Sequence, residues 1–310
     1  MTRGRLVRGA ALLTALCAAS AGAQQTHVLI ITGLGGEPMY STLFRSAGDA
    51  IYTAAKNDWK VAPASLIYLA EDSSRDMSRI KATKEEVAKA FTTLAQRVSP
   101  GDMLFVFLVG HGSGEGKDSR VNLPGPDPTA ADYAAWLDLF TKQSIVFVNA
   151  SSASGDFIQV LSKPGRVVVT ATKTAMERNE SVFFRYFTKG LSSKEADADK
   201  DGRISVLEAF QYAKQETARE YETEKKILTE HAVVSDSLLA QTVAFGSAAA
   251  SADPRVIALV AERRALEDSL AALRGRKAQM DSTAYADALE KLLIAIAEKT
   301  QAIKGAGGRQ

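Results

Sequence analysis

The sequence predicts an α/β fold built on a mostly parallel sheet that helices cover on both faces. Two observations carry this expectation. The strong apolar runs, such as His27 to Thr32 (HVLIIT) and Met103 to Val109 (MLFVFLV), are apolar throughout rather than at alternate positions. Strands of that kind are buried on both faces. Between the runs lie segments with helical spacing, and alternation of strand and helix is the pattern of a parallel sheet.

Taken in order, the first strand is His27 to Thr32, ending in Gly33-Leu34-Gly35-Gly36. Ser65 to Leu69 reads as a second strand. Thr83 to Val98 reads as a helix, with Thr83 and Glu86 as a capping box and Val87, Phe91, Leu94 and Val98 at helical spacing. Met103 to Val109 is the strongest strand. A short helix is expected over Asp132 to Phe140, after the proline-rich turn Pro124 to Pro128. Ile145 to Val148 and Val167 to Thr170 are two further buried strands. Ser181 to Leu191 reads as a helix with Phe183, Phe184 and Phe187 on one side. In such sheets functional residues gather beyond the carboxyl ends of the strands. The Gly33-Leu34-Gly35-Gly36 turn lacks the spacing of a dinucleotide fingerprint.

Composition narrows the function classes. The 310 residues carry 38 Lys+Arg and 36 Asp+Glu, with 46% apolar and 24% charged. This is ordinary for a globular protein and argues against a disordered chain or a strongly basic nucleic-acid binder. Arg3, Arg5 and Arg8, the apolar stretch Ala10 to Ser20, and Ala21-Gly22-Ala23 form the three parts of a secretory signal peptide. The apolar part is too short to span a bilayer, and Leu16 before Cys17 does not suit a lipoprotein signal. Cleavage after Ala23 removes three arginines and turns a formal charge of +2 into −1 over 287 residues. It also removes the only cysteine. The expected mature protein is periplasmic or secreted, free of thiols, without a membrane span, and has no basic excess for nucleic acid.

Residues 24–250 form the expected main domain and 251–310 a helical tail. In the tail, Asp253-Pro254 is a helix start. Leu259, Leu266, Leu270 and Leu273, then Leu289, Leu293, Ile296 and Ile303, repeat at 3-4 spacing around a break near Asp281-Ser282. This predicts a helical hairpin or short coiled coil. Packing on its own domain and self-association or partner binding through these helices both fit. Gly305 to Gln310 is expected to fray.

Asp197 to Glu208 matches the EF-hand calcium loop at its defining positions. Asp197, Asp199 and Asp201 stand at positions 1, 3 and 5, and Gly202 at the turn. Arg203 offers its carbonyl at 7, Ser205 a ligand or water at 9, and Glu208 a bidentate carboxylate at 12. Ca2+ needs this many hard oxygens. A lone loop fits a structural clip better than a paired sensor, and Ile204 at position 8 ordinarily packs against a second loop.

The strand Met103 to Val109 runs into Gly110-His111-Gly112, and the next into Asn149-Ala150-Ser151-Ser152-Ala153-Ser154-Gly155. These two strand ends resemble the caspase and legumain families of cysteine peptidases, over roughly Thr26 to Asp236. Those families place a His in an HG motif after one strand and a Cys before Ser-Gly after the next. The resemblance implies a caspase-like sheet, a peptide or protein ligand, and His111 as the base. It also implies Arg45 as a reader of an acidic or amide substrate side chain, although a plain surface arginine fits too. The cysteine is missing. Aligned on Ser154-Gly155, the nucleophile falls on Ser152; aligned on Asn149-Ala150, it falls on Ser151. A thiolate is intrinsically nucleophilic, whereas a serine needs a strong base and an orienting third group. Glu115 and Asp118 are the nearest carboxylates to His111 in the chain. Two readings follow: a calcium-binding, non-catalytic pseudo-peptidase that binds peptide or protein, or a hydrolase using Ser152 or Ser151 with His111, with backbone amides near Gly112 and Ser152 as the oxyanion donors.

Overall fold

The computed structural model describes residues 24–72, 80–198, 203–245 and 254–307. The leader expected over residues 1–23 lies outside them. The chain opens with β1 (Thr26–Thr32) and α1 (Pro38–Asn57), followed by β2 (Leu66–Ala70) and β3 (Ile80–Lys81). It continues through α2 (Lys84–Ala95) and β4 (Met103–Val109) to a small hairpin, β5 (Gly112–Ser113) with β6 (Arg120–Val121). Next come α3 (Ala130–Leu137), β7 (Ser144–Asn149), α4 (Phe157–Leu161), β8 (Arg166–Thr170) and α5 (Phe183–Gly190). The last part of the main body is β9 (Ile204–Ser205), α6 (Val206–Thr223), β10 (Val233–Val234), α7 (Ser237–Thr242) and β11 (Ala244–Phe245). Two long helices, α8 (Pro254–Gly275) and α9 (Ser282–Gly307), complete the chain.

The main sheet has seven strands in the order β10-β8-β7-β4-β1-β2-β3. All neighbours are parallel except β10, which pairs antiparallel with β8. The expected α/β class and mostly parallel sheet are therefore present. From β1 the chain winds outward through β2 and β3; from β4 it winds the other way. The ends of β1 and β4 thus flank the point where the winding reverses, where a crevice opens in folds of this kind.

The central strands β1, β4, β7 and β8 bury side chains on both faces. On β4, Phe105, Phe107 and Val109 join one core with Phe44 and Ile51 of α1, Phe183 and Phe187 of α5, and Phe210 of α6. Leu104, Val106 and Leu108 join the other core with Phe91 of α2, Tyr133 of α3 and Phe157 of α4. Each fully buried side chain of this size contributes about 1.5–3 kcal/mol. At the far end of the sheet, buried Asp102 precedes β4. It accepts from the amides of Gln25 (2.9 Å) and Ser99 (2.8 Å) and contacts His27 Nε2 at 3.1 Å, tying β1 to β4.

Some boundaries differ from expectation. The helix expected from Asp132 begins at Ala130, because Thr129 and Asp132 form a full capping box one turn earlier. Helix α1 was not anticipated. Its buried face is mostly small, with Ala47, Gly48, Ala54 and Ala55 beside Phe44 and Ile51. Gly48 lets α1 come close to β1 and β2: a Cβ there would sit 2.1 Å from Tyr68 Oη and 2.8 Å from Thr32 Cγ2. The tail forms the expected hairpin, with Asp281 Oδ1 accepting the Thr283 and Ala284 amides at the start of α9. Helix α9 runs on to Gly307, into the stretch expected to fray. Arg263 of α8 donates to the Thr242 carbonyl at 3.1 Å, and Arg274 pairs with Asp236, so the hairpin touches its own main body. Among the described residues no helix is long and apolar enough to cross a membrane.

Candidate functional site at the strand tips

His111 stands directly beyond β4 and is half-buried. Its ring lies edge-on between two rings of α1, with centroids 4.8 Å from Tyr40 and 4.9 Å from Phe44. An aromatic pair four residues apart on a helix shares one face, so α1 presents both rings to the histidine. The negative charge of Glu180 beside the Tyr40 hydroxyl pushes the phenol pKa up. Among the described residues the His111 imidazole makes no hydrogen bond to Ser151, Ser152, Glu115, Asp118 or any other side chain. Glu115 and Asp118 are exposed in the loop between β5 and β6.

The two serines differ in what they touch. Ser151 is fully buried, and its hydroxyl donates to Asn149 Oδ1 at 2.6 Å. The same oxygen accepts the Ser151 amide at 3.1 Å. Ser152 is also buried, and its Oγ accepts the Gly112 N–H at 3.2 Å. Ser152 thus bonds the HG loop, whereas the Ser151 hydroxyl, although it also lies beside Gly112, is bonded within its own strand end. The Gly112 amide, an oxyanion donor in the hydrolase reading, is engaged by the serine itself.

Close approach of the two loops depends on glycine. A Cβ on Gly112 would lie 2.1 Å from the Ser152 carbonyl oxygen, far inside contact distance. The turn after Ser152 is strained as well. Ala153 has φ +51°, a conformation that costs a side-chain-bearing residue about 1–2 kcal/mol. Its amide donates to the Glu177 carbonyl at 2.9 Å. Ser154 Oγ accepts the Ala171 (3.1 Å) and Thr172 (3.2 Å) amides, and Asp156 accepts the Gly116 amide at 2.7 Å and the Ala175 amide at 3.4 Å. Ser154 and Asp156 therefore bind the β7, β8 and His111 loops into one unit.

Sequence reasoning missed Tyr40, Phe44, Asp156 and Glu177. The four-residue spacing of Tyr40 and Phe44 was the available signal for the first two; nothing local marks the others.

The loop after β8 is clamped from behind. Glu177 contacts His231 Nδ1 at 2.9 Å and accepts the His231 amide at 2.9 Å. Buried Glu230 accepts from Ser181 Oγ at 2.7 Å and from the Val182 (2.8 Å) and Phe183 (3.3 Å) amides. Burial pushes its carboxyl pKa up, and those hydrogen bonds offset the rise only in part.

Arg45 lies on the second turn of α1. Its Nη2 donates to Thr42 Oγ1 at 3.4 Å. It lines a cavity of about 280 Å³ that also includes Thr32, Ser41, Phe44 and Glu71. Phe44 both lines this cavity and packs on His111.

Of the calcium-loop residues, Asp199, Asp201 and Gly202 lie outside the described residues. Asp197, Arg203, Ser205 and Glu208 lie within them. Ser205 caps α6, and Glu208 Oε2 accepts from the Ser205 amide and hydroxyl, both at 2.8 Å. Glu208 Oε1 accepts the Ala198 amide at 3.1 Å, next to Asp197. The first and last positions of the loop thus lie near one another. Among the described residues no three His, Cys, Asp or Glu side chains form a metal group. Ile204 at position 8 pairs antiparallel with Phe245, which packs against Trp59 and Phe105 in the core. A strand of the same chain thus stands where a second loop ordinarily would.

No protein-family model matches the chain, and no curated protein matches it in sequence. Solved structures do overlap it. A Geobacter sulfurreducens protein is 12% identical with a TM-score of 0.41, covering 62% of this chain and 89% of that one. Caspase-1 from Spodoptera frugiperda is 12% identical with a TM-score of 0.43, covering 72% and 92%. Likeness of this degree bears on neither the site nor the activity.

Proposed function

We propose that the protein is a secreted or periplasmic, calcium-binding relative of the caspase and legumain peptidases that has lost catalysis and binds peptide or protein at its strand tips. One observation carries the proposal. The serines at the nucleophile position have their hydroxyls engaged by Asn149 and Gly112, while His111 is held by two aromatic rings and bonded to neither serine. A serine without a bonded base lacks the activation its chemistry requires. Calcium acts in this reading as a clip on the loop from Asp197 to Glu208, raising stability because it binds the folded loop better than the unfolded chain.

A Ser-His hydrolase remains the second reading. The observations in its favour are the Gly112 amide aimed at Ser152 Oγ and the strained residue after it. Serine-directed phosphonate labelling separates the two. The proposal expects no labelling of the wild type; labelling lost in Ser152→Ala or Ser151→Ala overturns it. The clip is tested by thermal unfolding. Millimolar calcium is expected to raise the midpoint of the wild type but not of Asp197→Ala, and equal midpoints with calcium and chelator would sink it.

A further inference from the structure

Asp102, at the end of the sheet away from His111, is a buried carboxylate without a fixed cation. It is 4% exposed and accepts the Gln25 amide at 2.9 Å and the Ser99 amide at 2.8 Å. Among the described residues no Lys or Arg side chain pairs with it. The exposed Lys142 nearby lends only its carbonyl, to the Gly101 amide. The titratable group that touches Asp102 is His27, through Nε2 at 3.1 Å. That ring is 2% exposed, and its Nδ1 has no hydrogen-bond partner among the described residues. A protonated imidazole donates from both nitrogens, so charging His27 would leave a buried N–H unpaired. The neutral ring, donating from Nε2, fits the pocket, and it leaves the carboxylate uncompensated. A buried charge without a counter-charge is costly.

The missing charge lies one residue away. The expected leader ends at Ala23, and its removal turns the Gln24 nitrogen from a neutral amide into an α-ammonium. Gln24 precedes the residue whose amide bonds Asp102, and successive backbone nitrogens are at most about 4 Å apart. Strand β1 starts at Thr26, so a terminal Gln24 turns about its own Cα–C bond without breaking the ladder. That rotation carries the ammonium to ion-pair distance of the carboxylate. With the leader attached, the same nitrogen carries no charge.

We infer that the Asp102 pocket is a binding site for the α-ammonium of Gln24, filled when the leader is removed, so that processing supplies the charge that locks β1 to β4. The inference rests on the secreted reading through the leader and is independent of peptide binding.

The test compares thermal unfolding of three forms of the protein: one starting at Gln24, one starting at Gly22, and the Gln24 form cyclised to pyroglutamate by glutaminyl cyclase. In the cyclisation the α-amine attacks the side-chain carboxamide carbon, the ring C–N bond forms and ammonia leaves. The charge is lost and the chain length kept. At about pH 7 the Gln24 form is expected to melt about 2–4 °C above the other two. The gain is present in full below the ordinary α-amine value of about 7.7. It fades as pH rises through the higher value that the carboxylate gives the folded amine. Asp102→Asn should erase it, and if that variant does not fold, the pH series and the Gly22 form carry the test. Coincident midpoints of the three forms overturn the inference, as does a gain that survives Asp102→Asn or persists above about pH 10. The intact mass of the exported protein reads the leader separately: a start at Gln24 supports it, and any other start overturns the link to processing whatever the midpoints show.

Discussion

Replacing Gly112 with alanine tests how closely the two site loops must approach. The new Cβ would stand 2.1 Å from the Ser152 carbonyl oxygen and 2.9 Å from Ser151 Oγ. The first obstacle is backbone, so no rotamer change relieves it. The loops must part by about 1 Å, which also breaks the Gly112 N–H bond to Ser152 Oγ. Overpacking of this kind costs about 1–3 kcal/mol, and the lost hydrogen bond adds about 1 kcal/mol. The expected loss is about 2–4 kcal/mol. Gly116→Ala in the same loop is the control: Gly116 has φ +56° and open space around its Cβ position, so only the roughly 1–2 kcal/mol of backbone strain applies. Urea unfolding of both variants reads the difference, a midpoint shift on the order of 1 M for Gly112→Ala. A Gly112→Ala protein within about 0.5 kcal/mol of wild type would refute the packing argument.

Three further outcomes follow from the same geometry. Asp102→Ala leaves the Gln25 and Ser99 amides and His27 without their common acceptor, and should lower stability by about 3–5 kcal/mol in denaturant unfolding; a loss under about 1 kcal/mol contradicts its role as a tie. Ala153→Gly should raise stability by about 1 kcal/mol by relieving the positive φ, and a destabilised variant argues against that conformation. Glu230 has a raised folded pKa, so the folded chain holds its proton to higher pH than the unfolded chain does. Its contribution is therefore most favourable below the unfolded value of about 4.3 and declines as pH rises through the folded one. Between about pH 4 and 7, Glu230→Gln should gain on wild type as pH rises; a difference that stays flat or moves the other way contradicts the shift.

Much of the fold was legible because the central strands are apolar at every position: β4 was read to the residue, and β1, β2, β7 and β8 to within one or two. Helix α1 was not, although Phe44, Ala47, Gly48, Ile51, Ala54 and Ala55 stand at helical spacing on its buried face. The start of α3 is hidden in the sequence because Asp132, itself an ordinary cap residue, stands as the third residue of the first turn behind Thr129. The three-dimensional partners of the site were beyond reach for a different reason. Glu177 and Asp156 act through backbone amides from loops that are distant in sequence, and hydrogen bonds of that sort leave no spacing pattern. The sequence did single out His111, Ser151 and Ser152, but it left open which serine faces the histidine loop. Both lie against that loop, and what separates them is the acceptor Asn149, which takes the Ser151 hydroxyl and leaves Ser152 to bond Gly112.

The central claim, loss of catalysis at a retained peptide-binding site, is met most directly by peptide hydrolysis. The protein without residues 1–23 is incubated with a fluorogenic library varied at the residue before the cut, with calcium and with chelator, beside His111→Ala. The account predicts no turnover above the blank in either protein or condition. Turnover by the wild type that disappears in His111→Ala would contradict it and make the histidine a working base.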